Sequence, residues 1–139
     1  MAVYDLRGYV DLGLPSGKLW CIDNEYGYFT FDEAVEKFQD QLPTIEDWQE
    51  LIDNTTKRFD KLRKGLVLKA PNGKMLFLPT MGLCYEPEVQ GVGSIGFYWS
   101  ATPHNSDDAM GMFFNSVLAY THFSLSRDYG RSVRLIKAK

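Results

Sequence analysis

Short strand-type segments separated by turn residues fill the chain from about residue 55 to its end. The clearest pair lies in GLVLKAPNGKMLFLP, where two apolar runs are joined by Pro71-Asn72-Gly73. Such a turn between apolar runs is typical of a β-hairpin. Further strands are predicted at residues 96–101, 110–115 and 119–126, with a closing piece at 131–136. The second half of the chain is therefore limited to β-structure built from short strands.

Residues 82–96 lie between the hairpin and these later strands. Glycines interrupt this range repeatedly, and we expect it to form an irregular loop. Near the N-terminus, YVDLGLPSGKLWCI predicts two further short strands around Leu14-Pro15-Ser16-Gly17.

Two amphipathic helices are predicted before residue 55. In FTFDEAVEKF, Thr30 is suited to the N-cap and acidic residues fill the first turn. In LPTIEDWQELIDN, Thr44 is suited to the N-cap and Asp47 to the reciprocal position of a capping box. The apolar residues recur at helical spacing: Phe31, Ala34, Val35 and Phe38 in the first helix, and Ile45, Trp48, Leu51 and Ile52 in the second. Two early helices followed by many short strands predict an α+β domain.

Length and composition predict one globular domain, residues 1–139. The hydrophobic content is 45%, and the net charge of −3 comes with basic residues spread along the chain. That distribution disfavours a nucleic-acid partner. The N-terminal MAVYDLRGYV has no apolar core of the kind found in signal peptides, so we expect synthesis in the cytoplasm without the usual export. No apolar run reaches membrane-spanning length, and membrane insertion is not expected.

Motifs that carry chemistry are sparse. Cys21 and Cys84 lack metal-ligand spacing, and we expect free thiols. His104 and His122 have no convincing ligand partners nearby, and the Asp107-Asp108 pair is typical of a solvated turn. The sequence also lacks a nucleophile elbow, a phosphate-binding loop and a dinucleotide fingerprint. We therefore predict no catalytic residue, no metal and no cofactor.

Several motifs, taken in order, resemble a known family. YVDLGLPSGKLW, LPTIEDWQELI, GFYWSATP and GRSVRLI are similar to the fibrobacter-type major paralogous domain. The resemblance extends from about Tyr9 to Ile136. It implies a single C-type-lectin-like domain, with two helices packed on short, mostly antiparallel strands. Formylglycine-generating enzymes and the variable proteins of diversity-generating retroelements share that fold.

The chain lacks the marks of two activities known in that fold. The triplets of calcium-dependent lectins are absent, Glu86-Pro87-Glu88 being a partial match. The late cysteine pair of the sulfatase-activating relatives is also absent, because no cysteine follows Cys84. The resemblance therefore favours the variable-protein branch, which is not enzymatic.

In the variable proteins, miscopying at adenines rewrites a C-terminal stretch between fixed borders. Tyr98-Trp99-Ser100 and Gly130-Arg131-Ser132-Val133-Arg134 match such borders here. The residues between them are of types that this mutagenesis produces. The resemblance thus implies a variable ligand-binding surface made of Trp99, His104, Asp107, Asp108, Gly111, Phe113, Tyr120, His122, Ser124, Ser126, Asp128 and Tyr129. For Trp99, core packing is the alternative.

Alternation along the strand at residues 119–126 assigns its two faces. Successive side chains of a strand point to opposite sides. Thr121, Phe123 and Leu125 are expected to face inward; the residues expected to face solvent or ligand are Tyr120, His122, Ser124 and Ser126. Exposed strand residues are also miscellaneous where nothing constrains them, so simple tolerance is the alternative to diversification.

These observations predict a non-enzymatic receptor-recognition protein of a phage or gut bacterium, with a diversified C-terminal surface. Its partner would be a cell-surface protein or glycan. We expect display on a virion surface as a trimer or another homo-oligomer, because avidity compensates for weak single sites. The alternative is a structural virion or cell-envelope module with a fixed protein partner, whose aromatic residues would lie in a large apolar interface.

Overall fold

The computed structural model describes residues 8–85 and 87–139. The helices within them are α1 (Phe31–Phe38), a 3-10 turn (Gln39–Gln41) and α2 (Ile45–Asp53). The strands are β1 (Tyr9–Val10), β2 (Leu19–Cys21), β3 (Thr56–Asp60), β4 (Gly65–Lys69), β5 (Met75–Pro79), β6 (Leu83–Tyr85), β7 (Glu88–Gln90), β8 (Gly96–Pro103), β9 (Asp108–Phe114), β10 (Ala119–Ser126) and β11 (Ile136–Lys137).

The predicted fold class, a C-type-lectin-like α+β domain of two helices packed on strands, is wrong. Strands account for 43% and helices for 15% of the described chain, which makes the fold mainly β. The described strands form four small antiparallel sheets, ordered β1-β2-β11, β3-β4-β5, β6-β7 and β8-β9-β10. Both predicted helices are present, but they are short. The range expected to be an irregular loop also contributes strands, because β6 and β7 pair within it.

Both helices begin where the capping pattern predicts. The Thr30 hydroxyl accepts a hydrogen bond from the Glu33 amide, and the Glu33 carboxylate accepts one from the Thr30 amide at 2.8 Å. Thr44 and Asp47 form the same reciprocal pair at the start of α2. Each pair satisfies amides that the first turn leaves without helical partners. The two capping boxes therefore fix where each helix starts.

The sheet β8-β9-β10, hereafter the central sheet, lies between two hydrophobic clusters. Tyr98 belongs to the cluster that contains Trp20 and Trp48, whereas its neighbour Trp99 belongs to the cluster that contains Phe31. Adjacent residues of β8 enter different clusters because their side chains leave the sheet on opposite faces. Both faces of β8 are consequently buried, and this strand anchors the sheet.

A polar network inside the protein holds the segment after Gly130. The Arg134 guanidinium is 1% exposed and donates from Nε to Asn24 Oδ1, from Nη1 to the Cys21 carbonyl and from Nη2 to the Phe77 carbonyl, at 2.8, 3.0 and 2.8 Å. Asn24 also donates to the Tyr98 hydroxyl. Burial raises the pKa of Tyr98 to about 12. The network ties the C-terminal segment to β2, β5 and β8.

Candidate functional site

The edge strand β10 carries a bulge that changes which side chains share a face. Tyr120 pairs with Phe113 and Phe123 pairs with Gly111, so Thr121 and His122 together lie opposite one residue of β9. Residues paired across an antiparallel ladder point to the same face. Tyr120 and Phe123 therefore share a face.

The strict alternation predicted for β10 is wrong beyond this bulge. Thr121 is buried, and Tyr120 and His122 are exposed, as predicted. From Phe123 onward each side chain points to the face opposite to the one predicted, because the bulge adds one residue to the strand. Ser124 and Ser126, which were predicted to be exposed, are half-buried. Phe123 and Leu125, which were predicted to face inward, are half-buried as well.

The turn between β8 and β9 presents exposed side chains on a braced backbone. Asn105 Oδ1 accepts hydrogen bonds from the amides of Asp107 and Asp108 at 2.9 and 2.7 Å. Arg127 donates from its amide to the Asp107 carbonyl and from Nη2 to the Asn105 carbonyl, at 2.9 and 2.5 Å. The side chains of His104 and Asp107 are exposed to solvent. The turn's shape therefore depends on Asn105 and Arg127.

This division of roles predicts the effect of replacing Asn105 with alanine. The change removes the acceptor of two turn amides, and we expect the free energy of unfolding to fall by about 1 kcal/mol. His104→Ala, one residue away, should change it by less than about 0.5 kcal/mol, since the histidine is exposed. Urea titrations followed by circular dichroism would measure both. Equal effects at the two positions would contradict the assignment.

The structure places seven of the predicted site residues in two separate groups. Ser126 pairs with Asp108, so the end of β10 lies beside the turn. We name this group the tip cluster: His104, Asp107, Asp108, Ser126 and Asp128. Tyr120 and His122 lie near the other end of β10, beside Gln49 and Ile52 of α2. Ser126 follows Tyr120 by six positions, which is about 20 Å along an extended strand.

Two predicted site residues are not on the surface. Trp99 is fully buried and donates from Nε1 to the Phe29 carbonyl at 2.6 Å, so its alternative role in the core is the correct one. Gly111 is also buried, and a Cβ there would lie 2.5 Å from Arg131 Nη1 and 2.6 Å from the Tyr98 carbonyl oxygen. No side chain fits at this position without a shift of its neighbours. Gly111 is consequently not a variable contact position.

Phe113 and Tyr129 are held by ring contacts. The Phe113 ring centroid lies 5.1 Å from Phe97 and 5.0 Å from Phe123, which forms a cluster of three half-buried or buried rings. Tyr129 packs on Tyr85 with centroids 4.7 Å apart. Both residues therefore contribute to packing as well as to the surface.

An aromatic cleft lies outside the residues predicted from the sequence. It has a volume of about 460 Å³, and its walls include Tyr26, Tyr28, Pro79 and Met81. Tyr26 is 99% exposed, whereas the Tyr28 hydroxyl donates to the Met81 carbonyl at 2.6 Å. Burial raises the pKa of Tyr28. The sequence signal for this cleft is the pair of tyrosines that flank a glycine in NEYGYF. Their approach to Met81 depends on contacts between segments that are distant in the sequence.

In the described part of the chain, the side chains able to bind a metal are scattered. Within residues 8–85 and 87–139, no group of three or more His, Cys, Asp or Glu side chains could hold a metal ion. Cys21 is buried, Cys84 is half-buried, and no disulfide joins them. Over the same residues, no helix has the length and apolar character needed to cross a membrane. His104 and His122 lie toward opposite ends of β10 and do not share a site.

Comparisons with known proteins give one partial match. A family model described as a domain of unknown function, DUF8237, matches residues 69–136. The chain is similar to this family over just under half of its length, a range that includes the whole central sheet. No curated protein and no solved structure matches the chain.

Proposed function

We propose that this chain is a non-enzymatic recognition domain that binds a cell-surface protein or glycan. The contact residues are those of the tip cluster together with Tyr120 and His122. Tyrosine supplies rigid contact area at low entropic cost, and short polar side chains supply adaptable hydrogen bonds. The proposal keeps the expected phage or gut-bacterial setting and virion display.

One observation carries the proposal. Among the described residues, no hydrogen-bond partner is found for the exposed side chains of His104, Asp107, Tyr120 and Asp128. The backbone beneath them is fixed by other groups, namely Asn105, Arg127 and the β9–β10 ladder. The side chains can therefore be exchanged at little cost in stability. That combination suits a surface whose specificity changes while its shape is kept.

Diversification of these positions is part of the proposal. It concerns the exposed residues and leaves out Trp99, which is fully buried, and Gly111, where a Cβ would clash with its neighbours. A nearby genomic repeat matching the codons for about residues 99–134, and differing only where the repeat has adenine, would establish it. A reverse-transcriptase gene beside that repeat is expected as well. A genome without the repeat would contradict diversification and leave a recognition surface of fixed sequence.

Binding is tested with two variants matched to the two groups. The first combines His104→Ala, Asp107→Ala and Asp128→Ala; the second combines Tyr120→Ala and His122→Ala. The control combines Lys57→Ala, Arg58→Ala and Met75→Ala, which are exposed on the β3-β4-β5 sheet. Each single substitution should change the free energy of unfolding by less than about 0.5 kcal/mol. The readouts are a glycan array and flow cytometry of labelled protein on a panel of gut bacteria.

We expect the wild type and the control to stain the same cells or glycans, and the site variants to lose or change that set. Unchanged binding by both site variants would overturn the proposal. Loss of binding only when Tyr26 and Met81 are replaced would also overturn it. That result would favour a fixed partner held in the aromatic cleft.

A further inference from the structure

Arg131 is buried without a polar partner among the described residues. Its side chain is 0% exposed, and its guanidinium carbon lies 3.9 Å from the Trp99 ring centroid and 5.5 Å from that of Phe97. Within the described chain, Nε, Nη1 and Nη2 have no hydrogen-bond acceptor. Arg134, three residues later, donates from all of these nitrogens. The contrast shows that this fold can satisfy a buried arginine, and that Arg131 is not satisfied.

The charge of Arg131 makes this arrangement unfavourable. Burial lowers the pKa of Arg131 to about 9, so the guanidinium keeps its proton at neutral pH. Asp108 acts on it from a distance and raises its pKa, but the two form no ion pair. Contacts with the aromatic rings offset part of the free-energy cost of desolvating the guanidinium. A buried cation otherwise needs an anion or hydrogen-bond acceptors beside it.

Arg131 and Phe123 lie on one face of the central sheet. Arg131 Nη1 lies above Gly111, 2.5 Å from the place where any other residue would carry its Cβ. Phe123 pairs with Gly111 and lies on the same face. The Phe123 ring is half-buried and is held by Phe113 and Phe97, at centroid distances of 5.0 and 5.8 Å. A phenylalanine side chain has no hydrogen bond to break when it changes rotamer.

We propose that Arg131 is the anchor of a carboxylate-binding site on this face, which opens when the ring of Phe123 moves aside. A planar guanidinium binds a carboxylate through two parallel hydrogen bonds, and the neighbouring rings give apolar walls. The ligand group is the carboxylate of an acidic sugar or of an acidic protein side chain. The inference extends the proposed recognition function, and rests on it only for the source of that carboxylate.

Simple carboxylates test the site directly. Chemical unfolding of the full chain is measured with acetate, glucuronate or N-acetylglutamate amide, at an ionic strength held constant with sodium chloride. Glucose is the uncharged control for glucuronate. A ligand at tenfold its dissociation constant should lower the unfolding equilibrium constant about tenfold, since it binds the folded state alone. Tighter binding of glucuronate would assign a glycan source, and tighter binding of the glutamate derivative a protein source.

Variants separate this site from other effects of anions. Arg131→Met should unfold no more readily than the wild type without ligand, and should weaken carboxylate binding at least tenfold. Phe123→Leu should tighten binding, because a smaller cover is displaced. Arg58→Met removes an exposed arginine and should respond like the wild type.

Equal responses of the wild type and Arg131→Met would overturn the site. So would a wild type that responds to no carboxylate, since water would then satisfy the guanidinium. Stabilisation of the wild type by a carboxylate, without binding to cells or glycans, would support the carboxylate site and contradict the recognition function. Failure of the site and failure of the recognition function are therefore distinguishable.

Discussion

Replacing Arg134 with methionine is expected to lower the free energy of unfolding by about 3–5 kcal/mol. The guanidinium satisfies Asn24 Oδ1 and the carbonyls of Cys21 and Phe77, in a position that is 1% exposed. Methionine fills much of the volume but donates no hydrogen bond. Each buried acceptor left without a donor costs about 1–3 kcal/mol. Urea unfolding followed by tryptophan fluorescence measures the change.

Arg131→Met is the matched control for this prediction. Both arginines lie in the same segment and are buried to a similar degree, but Arg131 satisfies no acceptor in the described part of the chain. The two variants should therefore differ in stability, with a large loss at Arg134 and none at Arg131. Similar losses at both positions would show that packing of the side chain, and not its hydrogen bonds, determines the effect of Arg134.

Elements with a strong local signal were predictable from the sequence. The capping boxes fixed the starts of α1 and α2, and the Pro71-Asn72-Gly73 turn predicted the β4–β5 hairpin. The fold class was wrong because other strands carry little side-chain signal. In β3, TKRFD begins with exposed residues, and β7 is exposed throughout. Such strands are stabilised by backbone pairing with a neighbour, which residue types alone do not reveal.

Residues of the candidate site could be predicted from the sequence where they lie in a turn made of polar residues, because such turns are exposed to solvent. His104 and Asp107 lie in a polar turn, and both are exposed as expected. The bulge at Thr121 and His122 was not predictable, because neither residue is a typical bulge signal and the shift depends on pairing with β9. The burial of Arg131 was missed for a related reason. A basic residue in a strand is ordinarily assigned to the solvent face, and here a glycine on another strand makes room for it.

Support for the central sheet comes from α2 through Trp48. The indole is fully buried, its ring lies 4.7 Å from Trp20 and 5.6 Å from Tyr98, and its Nε1 donates to the Trp99 carbonyl at 3.2 Å. The start of α2 is joined to the end of β8 as well, because the Ile45 amide donates to Thr102 Oγ1 at 2.9 Å. Loss of the indole should therefore affect both the core and the backbone next to the tip cluster.

Trp48→Ala is accordingly expected to lower the free energy of unfolding by about 3–5 kcal/mol, through the cavity and the unsatisfied Trp99 carbonyl. Trp48→Phe keeps a ring and should lose less. Tyr26→Ala removes an aromatic ring that is 99% exposed and should change the value by less than about 0.5 kcal/mol. Urea unfolding ranks the variants, and amide hydrogen exchange should report faster opening at residues 101–108 in Trp48→Ala. Slow exchange there, despite lost global stability, would show that the tip is braced by Asn105 and Arg127 alone and not through α2.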